Sequence, residues 1–367
     1  MSGKAKEEAV RPKWNSLLVP SVQELTKKEI TEIPNRYVRP DQKQEIIVSE
    51  SDELPEIPVI DMQRLITDSE ELAKLHLACK HWGFFQLVNH GVGSSLVEKM
   101  KKETHEFFNQ EMSEKNKFWQ REGEIEGFGQ AFVVSEDQKL DWGDLFFMTT
   151  RPIHLRKPHL FPHLPLPFRE TLELYSAEVK NLEMAIMEQM EKALKMEGME
   201  MRGIFEEGIQ SMRMNYYPPC PQPHKVIGLT PHSDSVGLTV LLQLNEVEGL
   251  QIKKDGMWIP VRPLPDAFIL NIGDILEIIT NGTYRSVEHR ATVNSEKERL
   301  SIATFHSPSF GTEIGPSPSL VADRTPPKFK RIGVEEYFRG LFSRELGGKS
   351  YLDAMRIQHC NENEEPN

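Results

Sequence analysis

Read for the alternation of apolar and polar positions, the chain changes character about halfway. The first residues, 1–56, carry charge in EIPNRYVRPDQKQ and SESDELPE and little periodicity, which predicts an extended arm. IPVIDM (57–62) is a short apolar run of strand type. SEELAKLHLACKH (69–81) then has helical spacing, with Ser69 as cap and Leu72, Leu75, Leu77 and Ala78 on one side. GFFQLVNHGV (83–92) reads as a buried strand and LVEKMKKETHEFFN as a helix, so 57–165 is expected to be an α/β N-terminal region. The longest helical pattern is FRETLELYSAEVKNLEMAIMEQMEKALKME (168–197), placed in a supporting helix region over 166–205. Leu172, Tyr175, Val179, Leu182, Ala185 and Met190 fall near helical spacing, and its methionines are read as core filling.

From residue 211 the texture becomes short β-runs between turns: MRMNYY, LTVLLQL, GLQIK, MWIPV, AFILNI, ILEII, RSVEHRATV and RLSIATF, with DG at 255–256 and NG at 281–282 as turn signals. So many short strands predict a sandwich or barrel, and a jelly roll over 206–310 fits the count. Residues 311–367 are assigned to a C-terminal helix and an acidic tail, NENEEPN. The fold class is therefore α+β: a double-stranded β-helix (jelly-roll) core with surrounding helices and an α/β N-terminal region.

Composition narrows the function. The 367 residues include 38% hydrophobic ones, enough for a sizeable core, and the formal net charge is −12. Such a surface opposes a polyanion partner, because phosphate binding is driven by clustered Lys and Arg, so no nucleic-acid partner is expected. No run of about 18 apolar residues predicts a membrane span, and the start has no apolar signal-peptide region. The expectation is a cytoplasmic monomer with no membrane partner. Cys79, Cys220 and Cys360 lack CxxC spacing and are read as free thiols, and the sequon at Asn281 is read as a turn.

LTPHSDSVGLTVLLQL (229–244) carries the chemistry. His232 and Asp234 lie two residues apart, so in an extended segment both aim at one point. His289, 55 residues beyond Asp234, is their candidate partner. Two imidazoles and a carboxylate on one side of a metal form the facial arrangement of non-haem Fe(II) oxygenases, with open positions opposite. Ten residues after His289 come Arg299 and Ser301, again a pair on one strand face. A guanidinium and a hydroxyl there suit the distal carboxylate of a dicarboxylic co-substrate. NYYPPC (215–220) adds hydrogen-bonding side chains at a strand end. Taken singly, each of these residues has an ordinary reading as a turn, cap or core position.

In this order and spacing, NYYPPC, LTPHSDSVGLTVLLQ, NIGDILEIITNGTYRSVEHR and RLSIATFH resemble the plant 2-oxoglutarate and Fe(II)-dependent dioxygenases, and IPVIDM with ACKHWGFFQLVNHGV resembles that family's N-terminal region. EGFGQAFVVSEDQKLDWGDLFF and LRKPHLFP are most similar to the specialised-metabolism branch of senescence-related, norcoclaurine-synthase-like and alkaloid O-demethylase proteins. The resemblance implies His232, Asp234 and His289 as iron ligands, and Arg299, Ser301, Asn215 and Tyr217 around 2-oxoglutarate. It places Phe305, Phe147 and Arg213 at the substrate pocket. It further implies Fe(II), 2-oxoglutarate as co-substrate, ascorbate as activator, O2, and a small aromatic metabolite oxidised by hydroxylation or O-demethylation with release of succinate and CO2. Two alternatives stand beside it: a metal-dependent hydrolase using the same three ligands and a bound water, and a non-catalytic small-molecule-binding module on the same fold.

Overall fold

The computed structural model describes residues 16–28, 30, 32–39, 55–130, 133, 135–322, 324–342 and 348–357. Twelve strands form two sheets. In chain order they are β1 (Val59–Asp61), β2 (Phe84–Val88), β3 (Gly127–Gly129), β4 (Asp144–Arg151), β5 (Ile209–Tyr217), β6 (Leu229–His232), β7 (Leu238–Gln243), β8 (Leu250–Lys254), β9 (Met257–Pro260), β10 (Phe268–Ile272), β11 (His289–Ala291) and β12 (Arg299–Ser307). The larger sheet has the order β1-β2-β10-β7-β12-β5-β4-β3 and the smaller β6-β11-β8-β9. Every pairing is antiparallel except β1 with β2. This is the jelly-roll core, with the N-terminal strands β1 and β2 joined to one end of its larger sheet.

Strand alternation gives the larger sheet two different faces. Along β12, Leu300 and Ile302 turn outward into a core shared with Leu172, Tyr175, Val179, Ile186, Met187 and Met190 of the long helix. That helix, Leu166–Leu194, buries residues at alternating steps of three and four, and it ends where Lys195 turns left-handed at φ 56°. The opposite face packs Phe84 and Ile269 against Leu250, Ile252 and Ile259 of the smaller sheet. Toward β12, β5 and β4 that inner face carries polar side chains instead, and there the candidate site forms.

Four details differ from the pattern reading. The helix read as starting at Ser69 does start there, but Asp68 is its cap, its carboxylate accepting the Glu70 N–H at 2.8 Å. Leu77 is 52% exposed, off the face shared by Leu75 and Ala78. Of the predicted arm, residues 1–15 and 40–54 lie outside the described residues, whereas 16–28 and 32–39 are docked, not extended: Val19, Val22, Ile33 and Tyr37 are buried with Trp142, Cys220 and Val226. Asp144 anchors this segment by accepting the Val22 and Gln23 N–H groups and the Ser21 hydroxyl.

The fourth difference matters most for function. ILEII, read as a strand, lies in a helix, Asp274–Ile279, all six of whose residues are buried. A short apolar run shows no periodicity that separates a strand from a helix wrapped on every side. The NG signal does form a turn, with Asn281 at φ 50° and Gly282 at φ 76°. Cys79 and Cys220 are free and buried; Cys360 and the acidic tail lie outside the described residues. Among the described residues, no helix is long and apolar enough to cross a membrane.

Candidate metal centre

His232 closes β6 and pairs directly with His289, which opens β11. Asp234 follows just beyond β6. The pairing brings one ligand atom from each residue within 4.8 Å of the others, all three side chains being buried. Both imidazole Nε2 atoms approach the same carboxylate oxygen, Asp234 Oδ1, at 3.4 Å from His232 and 3.6 Å from His289.

Hydrogen bonds outside this cluster decide what those atoms carry. The Nδ1 of His232 lies 2.8 Å from the Thr230 carbonyl and that of His289 lies 3.1 Å from the Val287 carbonyl. A carbonyl only accepts, so each ring bears a hydrogen on Nδ1, which leaves Nε2 to face Asp234. Asp234 Oδ2 is occupied by the Thr239 hydroxyl at 2.6 Å and the Asn271 amide at 2.7 Å, which leaves Oδ1 facing the imidazoles. Burial, reinforced by the neighbouring His232, pushes the His289 imidazole down to about 4, so that it is neutral at pH 7. Burial would raise the Asp234 carboxyl, but His289 and His232 hold it well below the usual carboxylate range. Two imidazole Nε2 atoms, that of His289 on a ring neutral at pH 7, and one ionised carboxylate thus converge on one point. A divalent cation fits that donor set.

A second polar patch lies on β5 and β12. Arg299 pairs with Tyr217 and Ser301 with Asn215, so all four side chains project from adjacent positions. Arg299 is 2% exposed; its Nη2 donates to Gln243 Oε1 at 2.9 Å and its guanidinium lies 5.4 Å from the Tyr217 ring centre. Its Nε is buried without a partner, as is Asn215 Oδ1, while Asn215 Nδ2 donates to the Ser301 hydroxyl at 3.3 Å. The partners of Arg299 are Gln243 and Tyr217, neither of them a carboxylate, and burial lowers its proton affinity. A buried guanidinium left without an anion is costly, so the patch is built for an anionic guest.

The three pocket candidates share this face. Arg213 alternates with Asn215 along β5 and sits opposite Phe147 of β4 and Ala303 of β12. Phe305 alternates with Ser301 and sits opposite Thr239, whose hydroxyl holds Asp234. Phe147, Arg213 and Phe305 are partly exposed, whereas Phe146, Met212 and Thr304 beside them are buried. Arg213 has a buried, unpartnered Nε and no acidic partner among the described residues.

The pattern reading missed Thr239, Asn271, Gln243 and Gly249. The first two are polar residues inside the apolar strands LTVLLQ and FILNI, directly opposite each other. A buried polar residue in such a strand needs a partner, and that was the available signal. At Gly249 any Cβ would lie 2.7 Å from Arg299 Cδ and 2.8 Å from the Thr292 carbonyl, so the guanidinium stem rests on bare backbone.

Comparison with known proteins places this geometry in context. Residues 208–308 match the model of the 2OG-Fe(II) oxygenase superfamily, and residues 57–164 match that of the non-haem dioxygenase in morphine synthesis N-terminal region. Protein SRG1 of Arabidopsis thaliana is 63% identical over 350 residues, spanning 94% of this chain and 98% of that one. Oxoglutarate-dependent flavonoid 7-O-demethylase 1 of Ocimum basilicum is 57% identical over 347 residues, spanning 94% and 92%. The crystal structure of JOX2 in complex with 2OG, Fe and JA superposes with a TM-score of 0.84 at 35% identity, covering 93% of this chain and 98% of JOX2.

Proposed function

Since the chain belongs to the 2-oxoglutarate and Fe(II)-dependent dioxygenases, in the branch that holds O-demethylases and norcoclaurine-synthase-like proteins, we propose that it hydroxylates or O-demethylates a small aromatic plant metabolite. In this proposal His232, Asp234 and His289 hold the iron, and Arg299, Ser301, Asn215 and Tyr217 hold 2-oxoglutarate. Phe147, Arg213 and Phe305 face the substrate. When bound, the iron supplies the activation of O2 that couples decarboxylation of 2-oxoglutarate, to succinate and CO2, with insertion of one oxygen atom into a substrate C–H bond.

The chain's own residues do the rest. The carbonyls of Thr230 and Val287 fix both imidazoles in the tautomer that offers Nε2. Thr239 and Asn271 hold one oxygen of Asp234 and leave the other for the metal. Arg299 and Ser301 bind the distal carboxylate of the 2-oxo acid, orienting its other end toward the metal. Phe305 and Phe147 supply apolar surface for an aromatic ring, and Arg213 a donor for an oxygen on it. At an O-methyl group, hydroxylation gives a hemiacetal that releases formaldehyde and leaves a free hydroxyl.

The observation that carries this reading is the convergence of His232, Asp234 and His289 together with a buried guanidinium, Arg299, that has no carboxylate partner among the described residues. A metal-dependent hydrolase would use the first feature and leave the second idle. Activation by ascorbate and a monomeric state complete the proposal; they are tested by stimulation of turnover and by light scattering. The deciding experiment incubates the purified protein with Fe(II), 2-oxoglutarate and a panel of methoxylated flavonoids and alkaloids, and follows succinate together with product mass. Loss of one methylene per succinate marks demethylation, and gain of one oxygen marks hydroxylation. Absence of substrate-stimulated succinate across aromatic classes, from protein shown to bind iron, would defeat the substrate assignment.

A further inference from the structure

β6, which delivers His232, is an edge strand of the smaller sheet, so one row of its backbone groups has no strand beside it. That row is covered at the metal ligand itself. Gly348 donates its N–H to the Pro231 carbonyl at 3.0 Å and accepts the Ser233 N–H at 3.3 Å, a parallel bridge that brackets His232. In the segment that Gly348 opens, 348–357, Tyr351 and Leu352 enter the core and Met355 and Ile357 bond to the backbone at 328–330, while one carboxylate holds the charged side chains at both of its ends. Lys349 Nζ donates to Glu277 Oε2 at 2.9 Å, and Arg356 Nη2 to Glu277 Oε1 at 2.8 Å. Glu277 is 4% exposed and belongs to the buried helix Asp274–Ile279. It also accepts the N–H of Ser286 at 2.8 Å, three residues before His289, and Lys349 reaches the carbonyl of that same Ser286. One buried side chain therefore joins the bracket around the first histidine to the loop that presents the second.

We propose that Glu277 is a positioning residue for the metal, acting through Lys349, Arg356 and Gly348 on His232 and through Ser286 on His289. The proposal rests on the reading of His232, Asp234 and His289 as metal ligands. An edge strand without a neighbour frays easily, and a ligand that must be ordered at the moment of binding lowers affinity by the cost of ordering it. Without the Glu277 carboxylate, Lys349 and Arg356 lose their shared anchor, and the end of the segment beside the bracket loses its side-chain tether. Were the three charged groups only a stability network, their removal would lower the melting temperature and leave metal affinity alone.

The experiment uses full-length, metal-stripped protein titrated anaerobically with Co(II), read by the visible absorption of the bound ion. Glu277→Gln, and separately Lys349→Met combined with Arg356→Met, are each expected to weaken Co(II) affinity roughly 10-fold, the scale of outer ligand-supporting contacts. Combining all three substitutions should weaken it little further, since they break one chain of contacts. Leu172→Ala, in the long helix, is expected to lower the melting temperature and leave affinity unchanged. If Glu277→Gln fails to fold, the Lys349→Met and Arg356→Met protein decides, because both side chains are partly exposed. Wild-type affinity in the folded variants, or a loss that tracks melting temperature equally in Leu172→Ala, would overturn the positioning role. His232→Ala separates the two readings: it should abolish Co(II) binding, and if it does not, the metal assignment itself has failed.

Discussion

The candidate metal cluster, on β6 and β11 of the smaller sheet, and the guanidinium patch, on β5 and β12 of the larger, are built in opposite ways. Arg299, Ser301, Asn215 and Tyr217 stand on β5 and β12, two nine-residue strands in continuous register deep within the larger sheet. Their positions follow from the ladder alone. His232, Asp234 and His289 stand instead at the ends of a four-residue edge strand and a three-residue strand, whose mutual register shifts after His289. Here backbone pairing fixes little, and side-chain and tether contacts make up the difference: Thr239 and Asn271 on Asp234, two carbonyls on the imidazoles, and Gly348 along the strand edge. A long central ladder can carry function with few supporting residues, whereas a short edge strand needs a surrounding scaffold. Substitutions in the two regions should therefore fail differently.

The largest expected effect is at the centre of the cluster. Asp234→Asn keeps acceptor and donor atoms for the local contacts but removes the charge that balances a divalent cation. It should melt close to wild type when metal-free, yet lose more than the roughly 100-fold that outer supporting residues cost, as metal titration will show. Near wild-type turnover of 2-oxoglutarate in this variant would mean that the cluster is not a metal site. Next comes the patch. Arg299→Lys keeps the charge but loses the two-pronged geometry, so the KM for 2-oxoglutarate should rise about 10-fold with metal affinity intact. An unchanged KM would separate the patch from the co-substrate.

A smaller effect is expected from Thr239→Val, which removes one donor from Asp234 and tests whether the scaffold matters as claimed. Metal affinity should drop roughly 10-fold; Ser301→Ala, on the rigid ladder, should leave it untouched. The smallest effect concerns Asp274, whose N–H holds the Asp234 carbonyl at 2.7 Å and whose side chain accepts from Ser233. Burial pushes its carboxyl up to about 6, against the pull of Ser286, Lys349 and Ser233. The native state then binds this proton more tightly than the unfolded chain does. The resulting stability is complete at low pH and is lost as pH rises through about 6. Asp274→Asn should accordingly melt a few degrees above wild type at pH 7 and level with it near pH 4, by calorimetry at the two values. A lower melting temperature at pH 7 would show that the carboxylate is paired, not burdened.

How much of this was legible beforehand follows the same division. His232 with Asp234, and Arg299 with Ser301, are two-residue repeats within extended segments, and strand geometry alone brings each pair to one face. The scaffold was less visible. Thr239 and Asn271 lie 32 residues apart, and only the register of β7 with β10 makes them neighbours. ILEII hid a helix because every side chain in it is apolar or buried, so no polar face marked the turn of 3.6 residues. Glu277, the one charged residue in it, is buried with the rest. The docking of residues 16–28 and 32–39 was hidden for another reason: their apolar positions are spaced irregularly because they fill gaps against Trp142 and Cys220 and form no continuous face.

The seating of Arg299 has one further consequence. Gln243 grips its tip, Tyr217 covers its plane, and the bare backbone at Gly249 leaves its stem no room to shift. Both ends of the proposed co-substrate site are thus fixed, one by the three-residue cluster and one by a guanidinium held at its tip, plane and stem. On the proposed assignment the space between them works as a ruler. A 2-oxo diacid one methylene longer or shorter than 2-oxoglutarate would meet one end or the other but not both, and the same stiffness that selects chain length would exclude acids lacking the second carboxylate.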